Sequence, residues 1–339
     1  SGSGRTITLA LAPMEGVSDF VARGLLSGLG GMDFCVTEFV RVTDRPLRRR
    51  ALLDMAPELD RGGRTVSGVP VVVQLLGARG DALAETASLA RALGALGVDL
   101  NFGCPARRVN GHDGGAALLR DARRVEATVA AVRRALPAPY PVSAKIRLGW
   151  DDPDDVVALT RAAEAGGASF VTIHGRTKVQ MYRPYADWRR IGRARAAVGV
   201  PVVANGDLFA PSDLERCRAE SGCEHFMVGR GAFRCPNLFR WLRGLDRDPW
   251  PAERSARLLE RFALATRAAT ERFRSPERAA LARTKQWVRY LAERDPAFAA
   301  CFDQLKRSST LVEALQHLLR VFPPQGPTRP SGPGEARAS

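Results

Sequence analysis

The cysteine at position 104 is the residue whose setting points most directly to chemistry. It lies in the run Asp-Leu-Asn-Phe-Gly-Cys-Pro at 99–105, just after an apolar strand signal, and a glycine-rich loop follows at 110–115. A thiol held between Gly103 and Pro105 at a strand end is well placed to face a ligand. The alternative is a buried cysteine that serves as a small hydrophobic side chain. The motif alone leaves both interpretations open.

Polar or glycine-containing tips follow all eight predicted strands. In a TIM barrel, the carboxyl ends of the strands carry the active site. A single His or Lys at such a place is as often structural as functional, whereas eight tips in register predict a ligand-filled barrel mouth. In chain order the tips are 12–16, 37–39, 74, 101 with 104, 145–147, 174–176, 205–207 and 229–231.

The residue types at these tips indicate which ligand the mouth holds. Asn-Gly-Asp at 205–207 and Gly-Arg-Gly at 229–231 follow the last two strands, where TIM barrels commonly bind phosphate. Lys145 suits either a Schiff base or the negative charge of a reduced cofactor ring. Gln74 and Asn205 supply amide groups for the edge of a heterocycle. Together they predict a planar cofactor with a phosphate tail, and flavin mononucleotide (FMN) fits best.

The elements that must position these residues alternate between strand and helix. Strands are predicted at 6–11, 33–37, 69–75, 98–101, 142–146, 170–174, 200–204 and 225–228. Helices are predicted between them at 81–96, 121–135, 154–165, 187–198 and 211–221. This alternation implies a parallel sheet and fits a TIM (β/α)8 barrel. A doubly wound sheet is the competitor, but no G-x-G-x-x-G follows the first strand.

The strand signals stop after Trp250-Pro251, and helices are predicted at 253–272, 276–293 and 308–319. We therefore predict an α/β barrel domain over residues 5–246, followed by a small all-α helical bundle over 247–322. The Pro/Gly-rich segment 323–339 is predicted to be disordered. Residues 1–4, Ser-Gly-Ser-Gly, read as a cloning remnant outside the fold.

The charge balance predicts a polyanionic partner. The chain has 51 Lys and Arg against 36 Asp and Glu, a net charge of +15. Such an excess attracts nucleic acid first. GC-rich coding DNA alone would explain why arginine dominates over lysine, but it does not explain the excess over acidic residues.

The cysteine and histidine patterns argue against a metal site. The six cysteines are scattered with no C-x-x-C pair, and there are only four histidines. No apolar run approaches the ~20 residues of a membrane span, and no signal peptide is recognisable. We therefore expect a cytoplasmic protein with no metal and no membrane partner. We also expect a monomer, although no pattern in the sequence fixes the oligomeric state.

Six motifs taken together make the chain similar to the tRNA-dihydrouridine synthases. They are Ala-Pro-Met-Glu-Gly-Val at 12–17, Asn-Phe-Gly-Cys-Pro at 101–105, Lys-Ile-Arg at 145–147, His-Gly-Arg-Thr at 174–177, Asn-Gly-Asp at 205–207 and Gly-Arg-Gly at 229–231. The resemblance runs from about residue 6 to 322. The runs at 37–42, 147–150 and 285–287 further resemble the bacterial C-type subfamily, which modifies uridine at tRNA position 16.

The resemblance implies an FMN enzyme that reduces the C5–C6 double bond of a uridine in the tRNA D-loop. NADPH would supply the hydride, and the Cys104 thiol would protonate C5 from the other face. An acid of this kind must be protonated at neutral pH, which an ordinary thiol pKa of about 8.5 permits. This reverses the usual expectation that a catalytic cysteine is a thiolate nucleophile.

The resemblance also assigns roles to individual residues. The cofactor-binding residues that it implies are Pro13, Met14, Glu15, Gln74, Lys145, His174, Asn205, Gly206, Asp207, Gly229 and Arg230. The tRNA-binding residues that it implies are Arg41, Asn101, Arg147, Arg176, Arg283 and Lys285, with Asn101 and Arg147 at the target uridine. The helical domain would bind tRNA, and we expect Trp287 to belong to the core of that domain rather than to a stacking surface.

Some positions depart from the family pattern, and two other functions stay open. Phe102, Ala106 and the pair His112-Asp113 are unusual, which questions the behaviour of the loop but not the chemistry. One alternative is a flavin barrel that reduces or oxidises a free pyrimidine-like molecule, although a free base needs no basic helical platform. The other is a protein that binds tRNA as a chaperone without flavin.

Overall fold

The computed structural model describes residues 7–106, 114–183, 185–271 and 275–324. The chain divides into two compact units, Ser1–Trp250 and Pro251–Ser339. The sequence predicts the boundary after residue 246, a few residues earlier. Residues 1–4, most of the glycine-rich loop after Cys104 and most of the proline-rich tail lie outside the described residues.

The first unit is a closed barrel of parallel strands. The first strand, β1 (Thr8–Leu11), pairs with β2 (Phe34–Val36) on one side and with β9 (His225–Val228) on the other, which closes the sheet. Both β2 and β3 (Val40–Arg41) pair with β4 (Val71–Leu76), so they are two segments of one barrel position and the barrel has eight positions. The predicted TIM barrel is confirmed. The strands are β1 Thr8–Leu11, β2 Phe34–Val36, β3 Val40–Arg41, β4 Val71–Leu76, β5 Val98–Asn101, β6 Val142–Arg147, β7 Phe170–His174, β8 Val202–Asn205 and β9 His225–Val228.

The break between β2 and β3 has a local cause. The backbone N–H of Gln74 on β4 donates to the Thr37 hydroxyl at 3.0 Å, in place of a ladder carbonyl. Beyond it, the Glu38 carboxylate accepts the N–H of Gly16 at 2.5 Å, which ties this break to the loop after β1. A side-chain acceptor thus replaces the ladder where strand two reaches the mouth of the barrel.

Helices cover the outside of the barrel, and side-chain caps begin several of them. Asp121 and Asp187 accept backbone N–H groups of the first turns of the helices Ala122–Ala135 and Trp188–Arg195, which the sequence predicts to begin at these two residues. The helices of this unit are α1 Phe20–Gly28, α2 Arg49–Met55, α3 Gly80–Ala92, α4 Ala122–Ala135, α5 Val156–Ala165, α6 Trp188–Arg195, α7 Pro211–Ser221, α8 Arg230–Arg234 and α9 Leu238–Leu242. Short 3₁₀ turns occupy Pro57–Arg61, Gly115–Arg120 and Pro153–Asp155.

The interior of the barrel has an apolar half and a polar half. Because successive side chains of a strand alternate between faces, every second residue points inward. On β1, β2, β8 and β9 these residues form a cluster of Ala10, Ala12, Val36, Val203 and Met227. On β4 to β7 the inward positions instead carry buried or half-buried polar groups, namely Gln74, Asp99, Asn101, Ser143, Lys145, Thr172 and His174. Most of the inward polar side chains therefore lie on β4 to β7, and Asn205 on β8 also faces the interior.

The second unit is built of helices, and its core includes Trp287. The Trp287 side chain is buried, and its ring packs edge-on against Phe262 with centroids 4.6 Å apart. The interpretation of Trp287 as a core residue is therefore confirmed. No helix in the described ranges is both long and apolar enough to span a membrane. The helices are α10 Ala252–Ala269, α11 Pro276–Ala292, α12 Pro296–Leu305 and α13 Leu311–Val321.

Candidate active site

The backbone around Cys104 is held by the side chain of Asn101. Asn101 ends β5, and its Oδ1 accepts the backbone N–H groups of Gly103 and Cys104, both at 2.9 Å. Asparagine makes such turns because its short side chain reaches the backbone two or three residues ahead. The Cys104 carbonyl in turn accepts the N–H of Ala116 at 3.2 Å. The thiol therefore sits on an ordered turn at the carboxyl end of a barrel strand.

The Cys104 side chain is nearly buried and its thiol is a weak acid. The residue is 8% exposed and packs with Leu76, Phe39 and Ala106. Burial raises the pKa of the thiol above its usual value, and the neighbouring Glu15 carboxylate adds to the rise. The guanidinium groups of nearby arginines oppose this shift without reversing it. The thiol is therefore protonated at neutral pH.

Arg147, at the end of β6, joins the Cys104 turn to the loop after β7. Its Nε donates to the Gly103 carbonyl at 2.8 Å, and its Nη1 donates to the carbonyls of Thr177 and Met181 at 3.0 and 2.9 Å. Desolvation lowers the pKa of Arg147 to about 10, so the group stays cationic at neutral pH. The residue is predicted to contact the target uridine, and these three bonds show that it also fixes two loops of the mouth.

A chain of buried polar side chains lies beneath the mouth. Gln74 Nε2 donates to Asp99 Oδ2 at 2.7 Å, and Asn101 Nδ2 donates to Gln74 Oε1 at 2.8 Å. The Ser143 hydroxyl donates to the other oxygen of Asp99 at 2.6 Å. Burial raises the pKa of Asp99, while its hydrogen bonds with Gln74 and Ser143 oppose the rise. Gln74 is fully buried, so the structure places it in the floor of the site.

Lys145 brings a cation to the same polar half of the barrel. Its neighbours across the ladder are Asn101 on β5 and Thr172 on β7. Desolvation lowers the pKa of the half-buried amine to about 8, and the positive charge of Arg147 lowers it further, against the opposing effect of Asp99. The amine is thus charged at neutral pH but close to its titration point.

His174, at the end of β7, is a neutral ring surrounded by cations. Burial lowers its pKa well below the usual value, and the charges of Arg147, Lys145, Arg176 and Arg230 lower it further. Arg176 Nη1 lies 3.2 Å from His174 Nε2. Because a guanidinium can only donate, Nε2 must be the acceptor and the ring proton belongs on Nδ1. The N–H donor of the ring is therefore at Nδ1.

Arg176, after β7, and Asp207, after β8, form a nearly buried ion pair at the mouth. Arg176 Nη2 lies 2.5 Å from Asp207 Oδ2, which also accepts the N–H of Ala186 at 2.8 Å. Arg230 approaches the other carboxylate oxygen at 3.3 Å. Arg176 is predicted to bind tRNA, but its side chain is 3% exposed and paired with Asp207. The structure therefore places it within the wall of the site, not on a surface open to a phosphate backbone.

Two glycines keep the ends of β8 and β9 free of side chains. Gly206 has a φ of +120°, and an added Cβ would lie 2.9 Å from Ala186 Cβ and 3.0 Å from His174 Cδ2. An added Cβ at Gly229 would lie 3.4 Å from Met14 Sδ and 3.7 Å from Ala12 Cβ. At Gly206 the place of a Cβ is already filled by Ala186 and His174, whereas at Gly229 a Cβ would make an ordinary contact with Met14. Between them, Asn205 Nδ2 is occupied by the Met227 carbonyl at 2.8 Å.

The loop after β1 is a tight turn that uses much of its own backbone. The Met14 N–H donates to the Ser18 hydroxyl at 2.7 Å, and the Met14 carbonyl accepts the N–H groups of Val17 and Ser18, both at 3.0 Å. The half-buried Pro13 has no N–H, and Glu15 is exposed. All three residues are predicted to bind the cofactor, and of them Met14 places its Sδ next to Gly229 at the end of β9.

A model of the dihydrouridine synthase (Dus) family matches residues 10–322, nearly the whole described chain. The chain belongs to the dihydrouridine synthase family. Its relatives include the tRNA-dihydrouridine(16) synthase of Pseudomonas putida, 44% identical over 303 residues, which covers 88% of this chain and 92% of that protein. The enzyme of the same name from Escherichia coli K12 is 41% identical over 311 residues, which covers 90% and 96% of the two chains.

Among solved structures, the chain is similar to histamine dehydrogenase from Rhizobium sp. 4-9. The TM-score is 0.53 at 14% identity, and the match covers 70% of this chain and 45% of that one. At this identity the likeness supports the barrel fold and nothing about the ligand or reaction. In the present protein, no three His, Cys, Asp or Glu side chains among the described residues cluster as metal ligands would.

The remaining predicted tRNA residues differ in their settings. Arg41 lies on β3, half-buried, and its charge reaches the Cys104 thiol. Arg283 and Lys285 belong to α11 in the second unit, and both are half-buried. Lys285 Nζ donates to the Ser308 carbonyl at 2.6 Å, so the structure shows it joining two segments of its own unit.

Three residues of the site are not predicted from the sequence. Asp99 and Ser143 are buried members of the polar chain, and their one sequence signal is the strand alternation that puts Asp99 on the same face as Asn101. Tyr182, 51% exposed, lies 5.9 Å from the Arg147 guanidinium and 5.1 Å from that of Arg230. It is a loop residue without periodicity, so no pattern could single it out.

Proposed function

We propose that the protein reduces the C5–C6 double bond of a uridine in the D-loop of tRNA to 5,6-dihydrouridine, with FMN as bound cofactor and NADPH as hydride source. The observation that carries the proposal is the Cys104 thiol, held protonated by burial on an ordered turn at the barrel mouth. Relatives that cover most of the chain and are named tRNA-dihydrouridine(16) synthase support tRNA as the substrate and position 16 as the target.

The residues at the mouth fit FMN. The fit rests on the chemistry of the donor set: an amine, an imidazole and a guanidinium, from Lys145, His174 and Arg230, stand at the carboxyl ends of β6, β7 and β9. Lys145 and His174 would face the cofactor from the polar half, and Gly206, Asp207, Gly229 and Arg230 would hold its phosphate. Because the Asp207 carboxylate is occupied by two arginines, its contribution would come from the backbone. The chemistry that bound FMN supplies is hydride transfer, from NADPH onto C6 of the uridine.

The chain's own part in the reaction is the proton. The S–H bond of Cys104 breaks as a C–H bond forms at C5 of the uridine, and the thiolate left behind regains its proton from water. A thiol with a raised pKa is present as the acid throughout the neutral range, which a general acid requires. Asn101 holds the turn that carries the thiol, and Arg147 fixes that turn against the loop after β7.

The charge of the chain supports tRNA as the partner. The net charge of +15 attracts a polyanion, and Arg41 brings a cation close to Cys104 at the mouth. We propose that the barrel unit carries the cofactor and that the helical unit, with Arg283 and Lys285, contributes to tRNA binding. We also propose a cytoplasmic monomer, the setting in which an enzyme of this kind would meet tRNA without a partner chain.

The proposal is tested by coupling NADPH oxidation to product. The purified protein loaded with FMN is mixed with NADPH and either unmodified tRNA or free uridine. We expect dihydrouridine in the tRNA, with NADPH consumed in equal amount, and little turnover of free uridine. Comparable turnover of free uridine would instead favour a small-molecule reductase, and failure to bind FMN would favour a tRNA-binding protein without redox activity.

A further inference from the structure

We propose that Asp99 is a positioning residue that holds the Cys104 turn in place through Gln74 and Asn101. The inference rests on the proposed function, in which the Cys104 thiol delivers the proton. Asp99 itself would touch neither cofactor nor substrate. Its side chain is 2% exposed and lies on β5, two residues before Asn101 and on the same face of the strand.

Three hydrogen bonds connect Asp99 to the Cys104 backbone. Asp99 Oδ2 accepts from Gln74 Nε2 at 2.7 Å, and Gln74 Oε1 accepts from Asn101 Nδ2 at 2.8 Å. Asn101 Oδ1 then accepts the Cys104 N–H at 2.9 Å. A change at the carboxyl group would therefore reach the turn through two amide side chains.

The orientation of each amide follows from both ends of this chain. At one end the backbone N–H groups of Gly103 and Cys104 require an acceptor, so Asn101 must present Oδ1 to them and Nδ2 to Gln74. Gln74 must then present Oε1 to Asn101 and Nε2 to its other neighbour. Only an acceptor can stand at position 99, and the Asp99 carboxyl is that acceptor.

Burial makes this acceptor hard to replace. Gln74 is 0% exposed and Ser143 1% exposed, so water does not reach the floor of the site freely. A buried donor without a partner costs the full desolvation of that group, and a partly satisfied network loses its fixed geometry. Without an acceptor at position 99, Gln74 Nε2 would lose its partner and the amide chain would no longer be fixed from below.

A second role for Asp99 must be separated from this one, because its charge also acts on Lys145. Asp99→Asn keeps an acceptor for Gln74 and removes the charge, since its amide nitrogen can donate to the Ser143 hydroxyl, which accepts as well as it donates. Asp99→Leu has a similar shape but removes both the acceptor and the charge. Ser143→Ala removes a hydrogen bond to Asp99 without touching the chain that leads to Cys104.

The first measurement is the alkylation rate of Cys104 by iodoacetamide, resolved by peptide mass spectrometry in the full-length protein. The other five cysteines are at most 1% exposed and serve as internal references. In Asp99→Leu we expect iodoacetamide to label Cys104 about tenfold faster. A loosened turn exposes the thiol to water, and an exposed thiol ionises more readily to the reactive thiolate. Asp99→Asn and Ser143→Ala should stay within about twofold of the parent protein, since the acceptor for Gln74 is retained.

The second measurement separates kcat from KM with unmodified tRNA as substrate. Asp99→Leu should lower kcat about tenfold or more and leave the KM for tRNA unchanged, because the variant loosens the turn of the proton donor without altering the surface that would bind tRNA. Equal loss in Asp99→Asn and Asp99→Leu would assign the effect to charge and overturn the proposal. Unchanged Cys104 labelling in Asp99→Leu would overturn it as well.

If Asp99→Leu does not fold, Gln74→Leu breaks the same chain one step later and is read by Cys104 labelling alone. Faster labelling in that variant supports the proposal, and labelling at the parent rate contradicts it. The labelling experiment needs neither cofactor nor tRNA. It therefore distinguishes a failure of this inference from a failure of the proposed reaction, which would show as absence of dihydrouridine with the parent protein.

Discussion

Oε1 of Gln74 and Nδ2 of Asn101 lie 2.8 Å apart, so a residue predicted for the cofactor and one predicted for the substrate form a single hydrogen-bonded pair. Neither amide can turn over without leaving two donors or two acceptors facing each other. The pair also links the floor of the barrel to the Cys104 turn. Substitutions at the two positions should therefore be non-additive, as expected for residues of one network.

Removing the Cys104 thiol should separate binding from chemistry. We expect Cys104→Ala to bind FMN and tRNA like the parent protein and to lose about 100-fold or more in kcat, in the range of a lost general acid. The structural disturbance is small, because alanine at position 104 keeps the backbone N–H that donates to Asn101 Oδ1. Flavin absorbance, tRNA gel shift and single-turnover kinetics check the three quantities.

Cys301→Ala is the matched control, since Cys301 is a buried cysteine of the second unit. It should leave kcat unchanged. Full activity of Cys104→Ala would exclude Cys104 as the proton donor.

The half-buried amine of Lys145 should lower the free energy of unfolding of the ligand-free protein. Its folded pKa of about 8 lies below the usual value of 10.5. The unfolded chain therefore binds more protons between these values, so stability rises with pH across this window and the penalty is fully present below pH 8. We expect Lys145→Met to gain up to about 3 kcal/mol at pH 7 and little at pH 10, while its affinity for FMN falls.

Urea unfolding at the two pH values measures the gain, with Lys306→Met as control because that side chain is 44% exposed. A loss of stability in Lys145→Met at pH 7 would show instead that the fold accommodates the buried amine without a penalty.

His174 should make the protein sensitive to acid. Its folded pKa lies well below the usual 6.5, so the unfolded chain takes up a proton first as the pH falls. Stability from this group is complete above about pH 6.5 and declines below it, by about 1 kcal/mol per pH unit. His174→Gln should flatten the decline in melting temperature between pH 6.5 and 5. His225→Gln should flatten it less, because Glu224 opposes the shift there.

Arg41 and Arg176 should behave differently although both are predicted to hold tRNA. Arg41→Ala should reduce the salt dependence of tRNA binding by about one unit of slope, as the loss of one phosphate contact does. Arg176→Met should leave the slope unchanged and lower stability by less than the ~3–5 kcal/mol of a fully broken buried pair, because Asp207 loses its nearer arginine but keeps Arg230. A reduced slope of tRNA affinity against salt in Arg176→Met would show instead that Arg176 contacts a tRNA phosphate.

The barrel could be predicted from the sequence because its strands are continuous apolar runs separated by helical stretches. Strands buried on both faces read in this way, and eight of them fill a barrel. The ends of helices are harder to predict than their existence. The sequence predicts that α3 reaches residue 96, but the helix ends at Ala92 because the chain turns at Gly94, with a φ of +100°. The two-residue strand β3 and the helix Pro296–Leu305 carry too short a pattern to be recognised.

The site could be predicted only as far as residue type and strand position decide it. The sequence shows that Arg176 follows a barrel strand, but it does not show that Asp207 stands 2.5 Å away. In the same way it shows that Lys285 lies on a helix, but not that the amine reaches the Ser308 carbonyl. Side-chain partners depend on packing between distant segments, which no local pattern records.

The decisive experiment for the proposed reaction is site-resolved mapping of dihydrouridine in unmodified tRNA after incubation with the protein, FMN and NADPH. We predict dihydrouridine at position 16 in the presence of all three components and none when Cys104→Ala replaces the parent protein in a single-turnover time. Absence of dihydrouridine from the parent reaction, with FMN bound and NADPH oxidised, would contradict the proposed reaction.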